Sequence, residues 1–357
     1  MNKIVFTGGG TAGHVTPNLA IMNRLRQSGW EMAYIGSRDG IEREIIEHEG
    51  IPFHHIASGK LRRYFDLKNF KDPFRVLQGT LQAYRLLRRI RPQIVFSKGG
   101  FVSVPVIVAS RMLGIPVISH ESDLTPGLAN RISMPFVSRI CVTFPETLAH
   151  VRQDKGECTG LPIREQILAG KAAKGIARCD FHTQKPVLFI MGGSLGAQRI
   201  NQAIRASLET LLQSYQIIHI CGKGHAEASL DGVRGYRQFE YVKDELPELL
   251  ACADLVVSRA GSTSIFEFLA LRKPMLLIPL SRQASRGDQI LNAESFERQG
   301  YAHVLQEEEL TPQTLVSGLA ALQSDSAGMK LRMADNPYGN GTDSIVRLIE
   351  RFKLPAS

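Results

Sequence analysis

The sequence predicts an α/β protein made of two halves, each a parallel β-sheet covered by helices. Three observations carry this prediction. Short apolar runs alternate with helical patterns, the alternation restarts near residue 187, and each half opens with a strand, a glycine-rich turn and a helix. Such alternation favours parallel sheets with helices on both faces. The length of 357 residues likewise favours two domains.

The first half contains six predicted strands, each a short apolar run. They are Ile4–Thr7, Met32–Ile35, Phe53–Ile56, Ile94–Ser97, Val117–Ser119 and Ile140–Thr143. Helical patterns fall between them, as in the spacing of Leu19, Met22 and Leu25. The polar stretch from Arg152 to Lys185 lacks a clear pattern, and we interpret it as the connection between domains.

The second half repeats the alternation. Its predicted strands are Val187–Met191, Gln216–Ile220, Leu255–Ser258, Met275–Pro279 and Ala302–Leu305. Helices are predicted over Arg199–Leu212 and, at the end of the chain, Gly341–Phe352. We therefore expect domains at 1–162 and 163–340, followed by a closing helix within 341–357.

The charge of the chain limits the kinds of partner that it can bind. The net charge is +9, and ten basic residues against two acids lie between Lys60 and Arg91. This cluster indicates an anionic partner: phospholipid, polyphosphate or nucleic acid. Nucleic acid is disfavoured because no module that combines aromatic and basic residues for RNA binding is visible.

Cysteine spacing and hydropathy exclude further classes. The five cysteines form no C-x-x-C pair, so neither a zinc site nor a disulfide framework is predicted, and a reducing cytoplasm fits best. No apolar run reaches the ~18 residues that a transmembrane helix needs.

The first glycine loop matches a dinucleotide fingerprint only in part. Gly8, Gly10 and Gly13 fit G-x-G-x-x-G, but this pattern alone also suits a tight structural turn. An NAD site needs an acidic residue at the end of the second strand. That strand ends in the segment Tyr34–Arg38, which has no acid, so NAD is disfavoured here.

A second loop, Ser258–Glu267, is a better candidate for a nucleotide site. Ser262 and Thr263 offer hydroxyl and N–H groups to a diphosphate at a helix N-terminus, and Glu267 can accept hydrogen bonds from a ribose. The alternative is a capped helix with Ser262 or Thr263 as N-cap. No Asp-x-Asp occurs, so we predict no metal on the diphosphate.

Taken together, six motifs resemble the family of peptidoglycan N-acetylglucosaminyltransferases that convert lipid I to lipid II. They are Gly8–His14, Ser97–Ser103, His120–Asp123, Gly192–Gln198, Ser258–Glu267 and Asp288–Ala293. The match runs from about residue 3 to residue 350. It implies the GT-B fold, in which two Rossmann-like domains face each other across a cleft.

The resemblance also implies a donor site for UDP-N-acetylglucosamine (UDP-GlcNAc) and no cofactor. The implied contacts are Thr11, Ala12, Gly13, Asp123, Arg164, Ser194, Val242, Ser262, Thr263, Glu267 and Gln289. Asp123 departs from the family pattern, because many relatives carry asparagine there, in His-Glu-Gln-Asn.

The implied reaction inverts the sugar. The C4 hydroxyl of N-acetylmuramic acid (MurNAc)-pentapeptide on undecaprenyl diphosphate attacks the anomeric carbon, and UDP leaves on the opposite face. His14 is the first candidate for general base, and Glu121 is the second. His14 could instead be only a polar residue at the start of a helix. His120 could serve only to hydrogen-bond a backbone carbonyl, without a role in function.

The lipid-linked acceptor requires the enzyme to reach the cytoplasmic face of the bacterial membrane. Apolar residues at helical spacing interleave with the basic ones of Lys60–Arg91: Phe70, Phe74, Leu77, Leu81 and Tyr84. We expect peripheral binding to an anionic membrane surface, against the alternative of a packed helix with a solvated basic face. The competing functions are a UDP-GlcNAc epimerase of the same fold and a non-catalytic membrane-bound nucleotide-sensing scaffold.

Overall fold

The structure is a computed structural model that describes residues 1–9, 12–59, 72–182, 184–193, 196–282 and 287–355. At 12–14 and 72–73 it describes the helical backbone without the side chains. The chain divides into two compact units, residues 1–164 with 340–357 and residues 165–339. Each unit is built on one parallel sheet, which confirms the predicted α/β fold class.

Within the described residues, the sheet of the first unit has seven strands. They are β1 (Lys3–Thr7), β2 (Glu31–Gly36), β3 (Phe53–His55), β4 (Ile94–Ser97), β5 (Val117–Glu121), β6 (Arg139–Val142) and β7 (Gly156–Cys158). They pair in the order β3-β2-β1-β4-β5-β6-β7, all parallel. The winding reverses between β1 and β4, and open α/β sheets bind ligands beyond the strand ends at such a point.

The sheet of the second unit has six strands in the part of the chain that is described. They are β8 (Val187–Met191), β9 (Gln216–Ile220), β10 (Tyr236–Phe239), β11 (Leu255–Ser258), β12 (Met275–Leu277) and β13 (Ala302–Val304). Their order is β10-β9-β8-β11-β12-β13, again all parallel. The reversal lies between β8 and β11.

The helices are numbered along the chain. They are α1 (Ala12–Gln27), α2 (Ile41–His48), α3 (Asp72–Ile90), α4 (Ser103–Met112), α5 (Leu128–Ser133), α6 (Glu165–Leu168), α7 (Ala172–Cys179), α8 (Gln198–Ala206), α9 (Leu208–Ser214), α10 (Leu246–Cys252), α11 (Ser262–Ala270), α12 (Asp288–Arg298), α13 (Pro312–Ala334) and α14 (Thr342–Phe352). The helix predicted over Arg199–Leu212 is in fact two helices, because α8 ends at Ala206 and α9 begins at Leu208.

Alternating strand residues build the two faces of the first sheet. Ile4 and Phe6 of β1 lie in one buried cluster, and Val5 lies in the cluster on the opposite face. The closing helix α14 joins the first of these clusters through Ile345, among others. The Trp30 indole also donates to the Glu350 carboxylate at 2.9 Å. The end of the chain is thereby part of the first unit.

The strands β7 and β10 were not predicted, and both are edge strands. An edge strand has one neighbour and is not enclosed by further strands, so it needs no continuous apolar run. The sequence of β7 is Gly-Glu-Cys, in which Glu157 is exposed, and the middle of β10 is Arg-Gln, which is half-buried. The apolar criterion therefore finds the central strands and misses these.

The boundary between the two units, after Arg164, lies inside the stretch Arg152–Lys185 that we interpreted as the connection between domains. The stretch nevertheless contains regular structure that the sequence pattern did not indicate, namely β7, α6 and α7. Helix α7 packs on α10 through small residues. A Cβ atom on Gly175 would lie 2.3 Å from the carbonyl oxygen of Glu248. Backbone contact this close replaces the leucine and isoleucine stripe by which a helix is recognised in a sequence.

Candidate functional site

Two loops meet at the reversal point of the first sheet. Gly8 and Gly9 follow β1, and Lys98, Gly99 and Gly100 follow β4. Gly100 has φ of 86°, and a Cβ atom there would lie 2.4 Å from the carbonyl oxygen of Gly9. Only glycine allows the two loops to approach this closely.

The base of the first glycine loop is braced by two buried side chains. The Tyr34 hydroxyl donates to the Gly8 carbonyl at 2.8 Å. The Glu42 carboxylate accepts from the Ser37 backbone N–H at 3.0 Å, and its Oε1 atom lies 2.4 Å from where a Cβ atom on Gly9 would stand. Sequence reasoning missed Glu42, which lies beyond the strand end where an acidic residue was sought.

The residues that the resemblance places on this loop are only partly described. Ala12, Gly13 and His14 form the first turn of α1, so they stand where the chain leaves the carboxyl end of β1. Thr11 lies outside the described residues.

Glu121 ends β5, and its buried carboxylate organises the turn that follows. Oε1 accepts from the backbone N–H groups of Ser122 and Asp123 at 2.8 and 3.0 Å. Oε2 accepts from the Gly127 N–H at 3.0 Å and from the Asn130 amide at 2.7 Å. Burial, and then the nearby Asp123 carboxylate, raise the pKa of Glu121, while the hydrogen bonds from Asn130 and the backbone oppose this.

His120 and Lys98 form a buried pair beneath the same turn. The His120 Nε2 atom lies 3.1 Å from the Gly160 carbonyl oxygen, so the carbonyl interpretation of His120 is confirmed. Its Nδ1 atom lies 2.5 Å from Lys98 Nζ. The sequence analysis gave Lys98 no role, although this residue lies within the motif Ser97–Ser103.

In the second unit, glycine loops lie at the reversal point between β8 and β11. Gly192 and Gly193 follow β8, and Gly196 has φ of 78°. A Cβ atom on Gly196 would lie 2.4 Å from the Cys221 carbonyl oxygen beyond β9. Ser194, one of the implied donor contacts, lies outside the described residues.

Helix α11 begins directly after the β11 loop. Ser262 and Thr263 are its first two residues, and Glu267 lies in the next turn with 5% of its surface exposed. The capping alternative was wrong about the N-cap, which is Gly261, and no side chain caps the helix. The hydroxyl groups and N–H groups of this first turn stand where an anion is stabilised by the helix dipole.

A buried ion pair ties the ends of β11 and β12 together. Arg259 donates to the carbonyl oxygens of Ile278 and Pro279 at 3.1 and 3.3 Å, and to the Glu307 carboxylate. Glu307 in turn accepts from the Ser281 N–H at 3.2 Å. Neither side chain was singled out from the sequence, because their pairing spans 48 residues.

The remaining implied contacts are more widely placed. Gln289 is the second residue of α12 and accepts from the Leu280 N–H at 3.0 Å. Asn292 of the same helix donates to the Ala260 carbonyl at 3.1 Å. These bonds join α12 to the loops beside α11. Val242 is buried after β10, and half-buried Arg164 is the last residue of the first unit before α6.

No group of three or more potential metal ligands occurs among the residues that the structure describes. His219 is buried and uses both ring nitrogens within the second unit. Nδ1 lies 2.9 Å from the Tyr236 hydroxyl and Nε2 lies 2.9 Å from Asn201 Oδ1. Burial lowers the pKa of His219 to about 3, as suits a packed neutral imidazole.

Helix α3 carries part of the basic, apolar segment. Phe74, Leu77 and Leu81 are 76%, 60% and 51% exposed, whereas Leu87 is buried and Tyr84 packs against the core. The segment thus divides into a packed face and an exposed apolar face. The exposed basic residues of α3 are Arg75, Arg85, Arg88 and Arg89. Residues 60–71, with Lys60, Arg62, Arg63, Lys68, Phe70 and Lys71, lie outside the described residues.

Among the helices described, none combines the length and the hydropathy that crossing a bilayer requires.

Two family models match the chain. The glycosyltransferase family 28 N-terminal domain matches residues 4–142, and the family 28 C-terminal domain matches residues 187–349. The first range lies within the first compact unit, and the second covers the second unit from residue 187 to 339 and extends into α14 of the first unit.

Curated proteins match along nearly the whole length. A Geobacillus thermodenitrificans protein is 57% identical over 98% of both chains, and one from Clostridium novyi is 55% identical over 98% of this chain and 99% of its own. Both are named UDP-N-acetylglucosamine--N-acetylmuramyl-(pentapeptide) pyrophosphoryl-undecaprenol N-acetylglucosamine transferase.

Two solved structures of glycosyltransferases also match the chain along nearly its whole length. The crystal structure of Acinetobacter baumannii MurG has a TM-score of 0.79 at 25% identity and covers 98% of this chain and 100% of its own. The calicheamicin glycosyltransferase CalG4, with a TM-score of 0.71 at 13% identity, covers 99% and 98%. The second likeness shows the fold alone.

Proposed function

The chain belongs to glycosyltransferase family 28, and we propose that it transfers N-acetylglucosamine from UDP-GlcNAc to lipid-linked MurNAc-pentapeptide. It is an N-acetylglucosaminyltransferase of peptidoglycan synthesis with the GT-B fold. The observation that carries this conclusion is the pair of full-length relatives named for that reaction. The epimerase and scaffold alternatives find no such support.

A mass-spectrometric assay tests the reaction. The protein is incubated with UDP-GlcNAc, with and without a lipid I analogue, in excess EDTA. We expect a product that carries one added N-acetylhexosamine, formed only when the acceptor is present. An epimer has the same mass as UDP-GlcNAc, so the mixture without acceptor is also followed by proton NMR. A second UDP-N-acetylhexosamine in that mixture would indicate an epimerase, and an unchanged mixture with and without acceptor would indicate a scaffold.

We propose that the second unit is the UDP-sugar-binding domain. The first turn of α11, with Ser262 and Thr263, holds the diphosphate, and Glu267 accepts hydrogen bonds from the ribose. Gln289 and Val242, with Ser194, complete the donor contacts of this half, and Arg164, the last residue of the first unit before α6, is a further donor contact. This arrangement neutralises leaving UDP with hydroxyl groups, N–H groups and Arg164, which is why no metal is required.

Replacing Glu267 by alanine should weaken donor binding. Hydrogen bonds to a charged group contribute about 1.5–3 kcal/mol, so the Kd for UDP should rise about tenfold or more. Titration calorimetry measures it, with Glu267→Gln as the matched variant that keeps the side-chain shape. An unchanged Kd in a folded Glu267→Ala protein would leave Glu267 a purely structural residue of α11.

We propose that the first unit holds the acceptor and supplies the general base. Thr11, Ala12 and Gly13 reach the donor from the β1 loop, with Asp123 from the β5 turn. His14 takes the proton of the C4 hydroxyl as that oxygen attacks. Glu121 is the second candidate, but its oxygens already accept four hydrogen bonds within the turn. It is therefore better suited to orienting the turn than to receiving a proton.

We propose that α3 and the preceding basic segment dock on an anionic membrane at the cytoplasmic face. Phe74, Leu77 and Leu81 recur at helical spacing on the exposed face, and the arginines of α3 are exposed around them. Apolar side chains beside basic ones fit an anionic lipid surface, where each basic residue contributes ~1 kcal/mol. A polyprenyl-linked acceptor, which stays in the bilayer, requires such a surface.

Liposome flotation tests the docking surface. The wild type should float with anionic vesicles at low salt, and stay behind with neutral vesicles or at high salt, because the charges are screened. Replacing Phe74, Leu77 and Leu81 by serine should abolish flotation, as should replacing Arg62, Arg63, Lys68 and Lys71. The control is Leu331→Ser, which alters an equally exposed leucine of the second unit. Flotation that survives both sets would exclude this surface.

A further inference from the structure

His219 is a buried histidine of the second unit that the proposed reaction does not use. It lies near the end of β9, and its two ring nitrogens contact side chains of two other elements. The Nδ1 atom lies 2.9 Å from the hydroxyl of Tyr236 on β10, and the Nε2 atom lies 2.9 Å from the Oδ1 atom of Asn201 on α8. Both partners are buried as well. The imidazole therefore joins an edge strand of the sheet to the helix that follows β8.

The hydrogen bonds of His219 run in one direction, which a backbone carbonyl determines. The Nδ2 atom of Asn201 lies 2.8 Å from the carbonyl oxygen of Cys221. This oxygen can only accept, so Asn201 presents Oδ1, an acceptor, to His219. Burial, and then the charge of Arg205, lower the pKa of His219 to about 3, so the neutral imidazole has a single N–H group. Its proton lies on Nε2 and is donated to Asn201, while Nδ1 accepts from the Tyr236 hydroxyl.

The Cys221 carbonyl also contacts the glycine turn before α8, Gly192–Ala197. A Cβ atom on Gly196 would lie 2.4 Å from this oxygen, so the backbone of the turn packs directly against it. The Gly196 N–H donates to the Gly193 carbonyl at 3.0 Å and closes the turn. A Cβ atom on Gly192 would lie 2.4 Å from the Cβ atom of Ala197. With its two ends in such close contact, the turn must follow any movement of the Cys221 carbonyl.

The glycine turn lies where the proposed function needs a fixed backbone. It follows β8 at the reversal point of the second sheet, the place where open α/β sheets bind ligands. Ser194, a proposed donor contact, belongs to this turn by its sequence and lies outside the described residues. Groups that neighbouring bonds hold in place lose less freedom when a ligand binds, and so bind it more tightly.

We propose that His219 is a positioning residue for the donor. Through its bond to Asn201 it holds the Cys221 carbonyl, and thereby the glycine turn, in the position that receives the anionic UDP group. The identity of the donor rests on the proposed function. The hydrogen bonds and the order of the turn belong to the folded second unit, and they are measured without a ligand.

Two amide replacements separate the two bonds of His219. The side chain of His219→Gln can place an N–H group near the position of Nε2 and keep the bond to Asn201. The side chain of His219→Asn reaches only the position of Nδ1, so it keeps the contact with Tyr236 and leaves Asn201 Oδ1 without a donor. Each variant leaves one buried group without its partner, so we expect similar losses in the free energy of unfolding.

Titration calorimetry with UDP should distinguish the two variants. We expect the Kd to rise about five- to tenfold in His219→Asn, the effect of losing one buried hydrogen bond, and to stay near the wild-type value in His219→Gln. The KM for a lipid I analogue should not change in either variant, because we assign the acceptor to the first unit. The control is Tyr215→Phe, which removes a hydroxyl bonded to Gln323 at 2.6 Å and should leave the Kd unchanged.

Hydrogen exchange without a ligand, followed by mass spectrometry, reports on the turn itself. Peptides spanning 192–200 should exchange faster in His219→Asn than in the wild type, whereas His219→Gln should protect them as the wild type does. If His219→Asn does not fold, His219→Met takes its place. Its flexible thioether fills the space and likewise offers no N–H group to Asn201.

The same Kd for UDP in the wild type and both amide variants, or an equal rise in both, would overturn the proposal. Equal exchange of the turn in His219→Asn and His219→Gln would also overturn it. A wild-type protein that does not bind UDP would contradict the proposed function instead, and the exchange of the turn would still decide whether His219 positions it.

Discussion

His14→Ala is expected to lower kcat by about 10²–10⁴-fold, the usual contribution of a general base. The Kd for UDP-GlcNAc should change little, because the base acts on the acceptor hydroxyl in the transition state. His14 lies in the first turn of α1. The chain enters this turn after leaving β1 at the reversal point of the first sheet. Steady-state kinetics with a lipid I analogue give kcat, and calorimetry gives the donor Kd.

The matched control for His14 is His48→Ala, at the exposed end of α2, which should leave kcat unchanged. If His14→Ala retained a kcat near that of the wild type, the role of base would pass to Glu121 or to a water molecule. A raised Kd with unchanged kcat would instead make His14 a donor contact.

Glu307→Ala is expected to destabilise the second unit by about 3–5 kcal/mol, because it leaves the buried Arg259 guanidinium without its counter-charge. Both residues are less than one-tenth exposed, and the pair joins the ends of β11 and β12. Hydrogen exchange of peptides from β12 and α12 measures the unfolding of the second unit. Trp30, the single tryptophan, reports on the first unit by its fluorescence.

Glu308→Ala is the control, since Glu308 is the exposed neighbour in the sequence. Surface changes of this kind alter stability by about 0.5 kcal/mol or less. Equal effects of the two substitutions would show that the ion pair does not brace the β11 and β12 loops.

The elements that could be predicted are those that their own residues specify. Central strands such as Ile94–Ser97 and Leu255–Ser258 are apolar because both faces are covered, and the structure has them with these bounds. The edge strand β10 and helix α7 could not be predicted, because a single neighbouring strand and close glycine contact leave no apolar pattern.

In the candidate site, too, local features could be predicted from the sequence, whereas contacts between distant segments could not. The glycine loops and the start of α11 are local features, so the sequence places Ser262 and Glu267 one turn apart. The braces Glu42, Lys98 and Arg259 act on atoms of distant segments, and nothing in a single sequence pairs them. Glu121 accepts its hydrogen bonds from residues of the turn that follows it. That all four bonds converge on the two carboxylate oxygens can be seen only in the structure.

We propose that the transfer needs no metal and inverts the anomeric configuration of the sugar. Proton NMR of the product, made in excess EDTA from UDP-GlcNAc and a lipid I analogue, tests it most directly. We expect a β-linked N-acetylglucosamine on the C4 oxygen of the acceptor. An α linkage, or a product that forms only when magnesium or manganese is restored, would contradict it.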